Sequence, residues 1–251
     1  MSYTEFQDYV LPLFFFYIAL IVFSIFMTVK MFLKWRERNV KPPLHLSVVF
    51  ALFSIALIGL TIGLGEAVIT RYYMELYRFS LPFAYSTMII ADIFLFLFAS
   101  EITNRGRGAF VPLIIIGIAL FVVLYLPWNW WGVPQEDYAG QLNIRLYSTL
   151  GLIVYSYIIY IFIAITCFRA RKKADDGVAR LGLSLLLLAM ICMVCFFLMM
   201  VIDTLLITLT DHPGYSAFVY YAWIFAIIFY ILSYFSLVMP DWVVKRIKKS
   251  E

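Results

Sequence analysis

Apolar and polar positions in this chain are sorted into blocks. Seven apolar runs cover approximately residues 10–33, 44–70, 79–100, 109–128, 144–168, 181–210 and 215–239. Crossing a hydrocarbon layer of about 30 Å takes roughly 20 helical residues, and each run is long enough. The pattern predicts an all-α fold, a seven-transmembrane-helix bundle forming a single domain over 1–251. It also predicts a multi-pass protein of the cell membrane, with the lipid bilayer as its first partner. The first run starts close to Met1 without a small-residue cleavage site, so it is expected to be a retained helix rather than a removed signal peptide.

Composition narrows the function classes. Of the 251 residues, 65% are hydrophobic and 14% charged, far from the balance of a soluble domain. The short connections leave no room for a soluble catalytic, kinase or nucleic-acid-binding domain, so no nucleic-acid partner is expected. His45 and His212 are the two histidines. They fall at opposite ends of their helices and cannot together ligate a haem or complete a three-histidine zinc site. The last apolar run has no lysine for a retinal Schiff base. No cofactor is therefore expected, and no nucleophile–base pair suggests an enzyme.

Charge sets the expected orientation. Basic residues are retained on the cytoplasmic side of short loops, and sixteen of the nineteen Lys and Arg fall on one side of the seven runs. Arg71, Arg78 and Arg145 fall on the other. The N-terminus is then outside and the C-terminus inside. The inner side carries a basic layer, read either as topology with anionic headgroups or as a docking surface for an acidic partner.

The connections carry turn signals. Pro42 and Pro43 are expected to stop the first helix, and Gly106 and Gly108 to break the chain after the third. The longest outer connection holds Trp128, Trp130 and Trp131 with an acidic tip, an expected aromatic belt or a lid over a ligand. Residues 240–251 read as a short basic amphipathic tail. A three-plus-one-plus-three repeat is not supported, because prolines do not recur at matching positions.

Ionisable groups within the hydrocarbon region are costly and so are candidates for function. Three acids qualify: Glu66, Asp92 and Asp203. On the second helix Ala56, Gly59, Gly63, Glu66 and Thr70 recur at helical steps, and the Gly59–Gly63 spacing permits close approach of a neighbour. Glu66 therefore faces protein. Asp203 is expected at similar depth, and Asp92 deeper, on a face with Tyr85. Each acid is either a satisfied interhelical hydrogen bond or part of a site. Arg71, Arg78 and Arg145 are the cations expected to compensate a shared outer cavity around Glu66 and Asp203. Tyr85, Tyr147, Tyr155, Tyr220 and Trp223 are the aromatic candidates for its lining. Cys192 and Cys195 lie mid-helix in apolar surroundings, where a thiolate is disfavoured, and read as packing.

The final stretch SYFSLVMPDWVVKRIKK, with Met239, Pro240, Trp242, Lys245 and Arg246, resembles the end of the seven-helix sensory input modules that precede histidine kinases in archaea and bacteria. The resemblance implies a ligand- or stimulus-driven shift between two helix packings. With the sequence ending at Glu251, output is expected to pass to a separate cytoplasmic partner at the basic inner loops. The alternative is a small transporter or channel, with the three acids as a stepped path for protons or cations.

The charge bias yields a labelling test. A cysteine placed in the 171–176 loop should be protected from impermeant reagents in intact cells, and one in the 135–139 loop should react. Labelling of the former from outside would overturn the orientation.

Overall fold

The computed structural model describes residues 3–103, 106–133, 139–142, 144–210, 215–239 and 243–245. The acidic tip at Glu136 and Asp137, His212, and Pro240, Trp242 and Arg246 of the predicted tail lie outside the described residues. The protein is all-α, with seven helices long and apolar enough to cross a membrane. The helices are α1 Leu11–Arg38, α2 Lys41–Thr70, α3 Glu75–Thr103, α4 Phe110–Leu124, α5 Arg145–Lys173, α6 Gly177–Thr210 and α7 Ala217–Val238, and the fourth span includes the 3-10 turn Arg107–Ala109 ahead of α4. Most run past the apolar segments into charged residues, because a helix keeps its own backbone hydrogen bonds whether lipid or water surrounds it.

Two ends differ from expectation. α1 stops at Asn39, which adopts a left-handed φ of 50° and donates its N–H to the Trp35 carbonyl. Pro42 and Pro43 instead sit inside the first turn of α2, where the missing N–H would be unpaired anyway. α4 ends earlier than predicted. Pro127 pushes Leu126 into extended backbone, and a 3-10 turn over Pro127–Asn129 follows.

The chain divides into two compact units, Met1–Ser156 and Tyr157–Glu251, with the division falling inside α5. In the first unit α2 packs against both α1 and α3, and α4 against α3. Polar side chains hold the α1–α2 contact: Ser24 Oγ donates to the Phe50 carbonyl at 2.8 Å, and Ser47 Oγ to that of Thr28 at 3.1 Å. Between α2 and α3, glycine sets the distance. A Cβ on Gly59 would lie 2.6 Å from the Phe83 ring, and one on Gly63 3.0 Å from the Tyr77 Cα. Lipid tails give helices no hydrophobic reason to associate, so small residues that bring backbones together and hydroxyls that bond carbonyls do that work.

One end of this unit is closed by a two-stranded antiparallel ribbon, in which β1 (Thr4–Glu5) pairs with β2 (Tyr72–Tyr73). The Phe6 N–H extends it to the Arg71 carbonyl at 2.8 Å. In the second unit α6 packs on α7. Ser236 Oγ donates to the Gly182 carbonyl at 2.8 Å, and the ring centres of Phe196 and Trp223 lie 5.4 Å apart, edge to face.

Candidate functional site

Glu66, Asp92 and Asp203, the three acids within the apolar runs, are all engaged. Glu66 is half-buried on the last turns of α2, on the face that Gly59 and Gly63 turn to α3. Its Oε2 accepts the backbone N–H of Tyr77 at 3.0 Å. Tyr77 is the third residue of α3, and the first intrahelical bond is made only by the next N–H, from Arg78 to the Met74 carbonyl. Glu66 thus supplies from a neighbouring helix the acceptor that a capping side chain ordinarily supplies.

Asp203 does the same work in the second unit. It is buried on α6, and its Oδ1 accepts the Ser216 N–H at 2.8 Å. Ser216 is the capping residue of α7 and accepts the Phe218 N–H on its own Oγ. Asp203 therefore holds the residue that holds the helix start, next to Tyr215 with its left-handed φ of 52°.

Asp92 is fully buried, and Ser156 Oγ on α5 donates to its Oδ2 at 2.6 Å. This is the interhelical bond anticipated as one reading of each acid. Its partner was not legible, because a single serine in an apolar run carries no signal of its own.

The cations do not gather round Glu66. Arg71 pairs with Asp8 at the ribbon, both largely exposed. Arg78 is nearly fully buried; its Nη1 lies 2.9 Å from Glu75 Oε1, and its guanidinium carbon is 4.9 Å from the Tyr3 ring centre. Arg145 reaches the Trp130 carbonyl at 3.4 Å. The compensation expected for Glu66 is thus provided by a backbone N–H, and each arginine serves the ribbon end in another way. Arginine was expected there because opposite charges attract at range. At contact distance an unpaired helix N–H lies closer and needs an acceptor just as much.

The aromatic candidates are divided between the units, with Tyr85, Tyr147 and Tyr155 in the first and Tyr220 and Trp223 in the second. Tyr155 is buried and donates its hydroxyl to the Leu113 carbonyl at 3.3 Å. Trp223 is buried against Phe196, whereas Tyr85 and Tyr220 are half-buried. Tyr147 is 72% exposed. Trp130 and Trp131 turn inward: Trp130 packs its ring on Phe79, and Trp131 meets both Tyr73 and Tyr77 edge-on at 5.7 Å. They cover the start of α3.

Sequence reasoning missed Asn129, which is buried and accepts the Ile144 N–H on its Oδ1 at 3.0 Å. It also missed Pro82 inside α3, which leaves the Arg78 carbonyl without its helical donor. A hollow of about 560 Å³ runs along α1 beside Asp8, Pro12, Phe15 and Phe16. None of the predicted site residues lines it. No family model, curated protein or solved structure matches the chain.

Substitution separates hydrogen bonding from charge at the two caps. Glu66→Ala and Asp203→Ala should each cost about 0.5–2 kcal/mol in thermal or denaturant unfolding of the purified protein, the range for loss of a cap. Glu66→Gln and Asp203→Asn, which keep an acceptor oxygen, should recover most of it. Equal damage from the amide and alanine variants would mean that the negative charge, and not the bond to the helix start, is what matters.

Proposed function

We propose that this is a receptor-like or sensory protein of the cell membrane, which takes a small ligand at the ribbon end and signals to a separate cytoplasmic partner. The observation that carries the reading is the Glu66–Tyr77 bond at the start of α3. α3 has 29 residues, so at 1.5 Å per residue it is a rod of about 43 Å. Its first turn is held by Glu66, by the Arg78–Glu75 pair and by Tyr3. Pro82 loosens that turn from the rest of the rod. A ligand that competes for these bonds changes how α3 is seated, and a packed helix seated differently at one end moves at the other.

The far end of α3 leads into the Arg107 turn, part of the basic layer expected inside. That layer is where a partner of acidic character would read the shift. The C-terminal resemblance to sensory input modules agrees with this direction of signalling. In the transport alternative Glu66, Asp92 and Asp203 would pass protons or cations. That all three already accept a donor from the protein itself favours clamps over a relay.

Spin labels test the reading. With Cys167, Cys192 and Cys195 replaced by alanine, labels are attached at Val40 and Ile102, both exposed near the opposite end of α2 and α3 from the ribbon. Releasing the clamp with Glu66→Ala should shift the inter-label distance by about 1–2 Å, the scale of helix movements in switching proteins. An unchanged distance contradicts the proposal. Dissipation of a proton or cation gradient by reconstituted protein, abolished by Asp92→Asn, would favour the transporter.

A further inference from the structure

The start of α3 carries more donor capacity than the protein uses. Arg78 Nε, Asn129 Nδ2 and Trp130 Nε1 are all buried and have no hydrogen-bond partner. Arg78 and Asn129 are 3% and 5% exposed as residues, so bulk water does not serve them. The two groups of donors lie on the two sides of one seam, where the 129–132 turn covers the first turn of α3. Trp130 packs on Phe79, Trp131 packs on Tyr77, and Arg78 lies between those two in sequence.

Gly132 closes the seam over Arg78. Its φ of +77° favours glycine, and a Cβ there would lie 3.6 Å from Arg78 Nε. Nε is sealed beneath the turn, so an acceptor reaches it only where the 129–132 turn lifts. The ion pair to Glu75 engages Nη1 and leaves the Nε side of the guanidinium to bond something else.

Buried donors without acceptors are costly, and a buried cation more so. Each of these N–H groups calls for an acceptor oxygen, and Arg78, already paired with Glu75 through Nη1, favours one on an anionic group at Nε. An amine or ammonium would meet N–H with N–H. The surrounding rings of Phe79, Tyr77, Trp130 and Trp131 suit an apolar or aromatic body on that group.

We infer that the seam between the 129–132 turn and the start of α3 is a binding site for the carboxylate of a small aromatic or apolar acid, with Arg78, Asn129 and Trp130 as its donors. The site rests on the receptor reading and names the class of ligand for it. The ligand supplies two oxygens to fixed N–H groups, the arrangement in which arginine recognises carboxylates best.

The test uses the full chain in lipid nanodiscs and 4-fluorobenzoate as the probe, followed by fluorine NMR. Saturable line broadening is expected, with 4-fluorobenzyl alcohol at least tenfold weaker. Arg78→Lys keeps the charge but loses the fork of donors, and should weaken binding at least tenfold. Trp130→Phe keeps the ring and removes only the indole N–H, so it remains informative if the arginine variant does not fold; it should weaken binding several-fold. Absence of saturable binding, equal binding of the alcohol, or wild-type affinity in Trp130→Phe overturns the site. Benzoate that binds without moving the Val40–Ile102 distance supports the site and contradicts the receptor reading. A chain that ignores benzoate but moves with a neutral ligand does the reverse.

Discussion

The first turn of a helix presents backbone N–H groups that the helix itself cannot satisfy, and in a bilayer no water is at hand to do so. Here a carboxylate near the end of one helix accepts an N–H at the start of the next. Glu66 holds Tyr77, and Asp203 holds Ser216. Each bond removes two liabilities together, a carboxylate within an apolar helix and an orphan donor, at the point where the chain turns back. The partial positive charge of a helix start also favours the anion. Other features of the ribbon end follow from this seating of α3. The glycines at 59 and 63 bring α2 close enough for Glu66 to reach, and Trp131 packs over Tyr73 and Tyr77.

The same economy governs the deeper contacts. Asp92 is tolerable at full burial because Ser156 donates to it, and serine hydroxyls bond carbonyls across both the α1–α2 and α6–α7 contacts. Buried polar atoms without a hydrogen-bond partner also occur at His45, Ser100 and Ser233, but those of Arg78, Asn129 and Trp130 fall together at the start of α3. The carboxylates of Glu66, Asp92 and Asp203 have donors, whereas the Arg78 Nε has no acceptor, which is the imbalance behind the proposed acid site.

Much of the fold was legible from the sequence because it depends on apolar length alone. The seven helices fall where the apolar runs fall, and the stripe through Gly59, Gly63 and Glu66 correctly turned that acid toward protein. Helix ends were less legible, since Pro42 and Pro43 can stop one helix or begin another and only backbone geometry decides. The partners of the acids were not legible. Side-chain charges can be read in a sequence, whereas a helix N–H is present at every position and becomes special only once the turn is built. For that reason Arg71 and Arg78 were matched to Glu66, although Asp8 and Glu75 hold them. The spacing from Glu75 to Arg78, three residues on a helix, was the available signal for the second pair.

Amide hydrogen exchange at the two helix starts tests the central claim most directly. In the wild-type protein the N–H groups of Tyr77 and Ser216 should exchange more slowly than the unbonded first-turn amides beside them. Glu66→Ala should speed exchange at Tyr77 and leave Ser216 as it was, and Asp203→Ala should do the opposite. Fast exchange at both amides in the wild type, or protection that survives removal of the carboxylate, would contradict the claim that these acids secure the starts of α3 and α7.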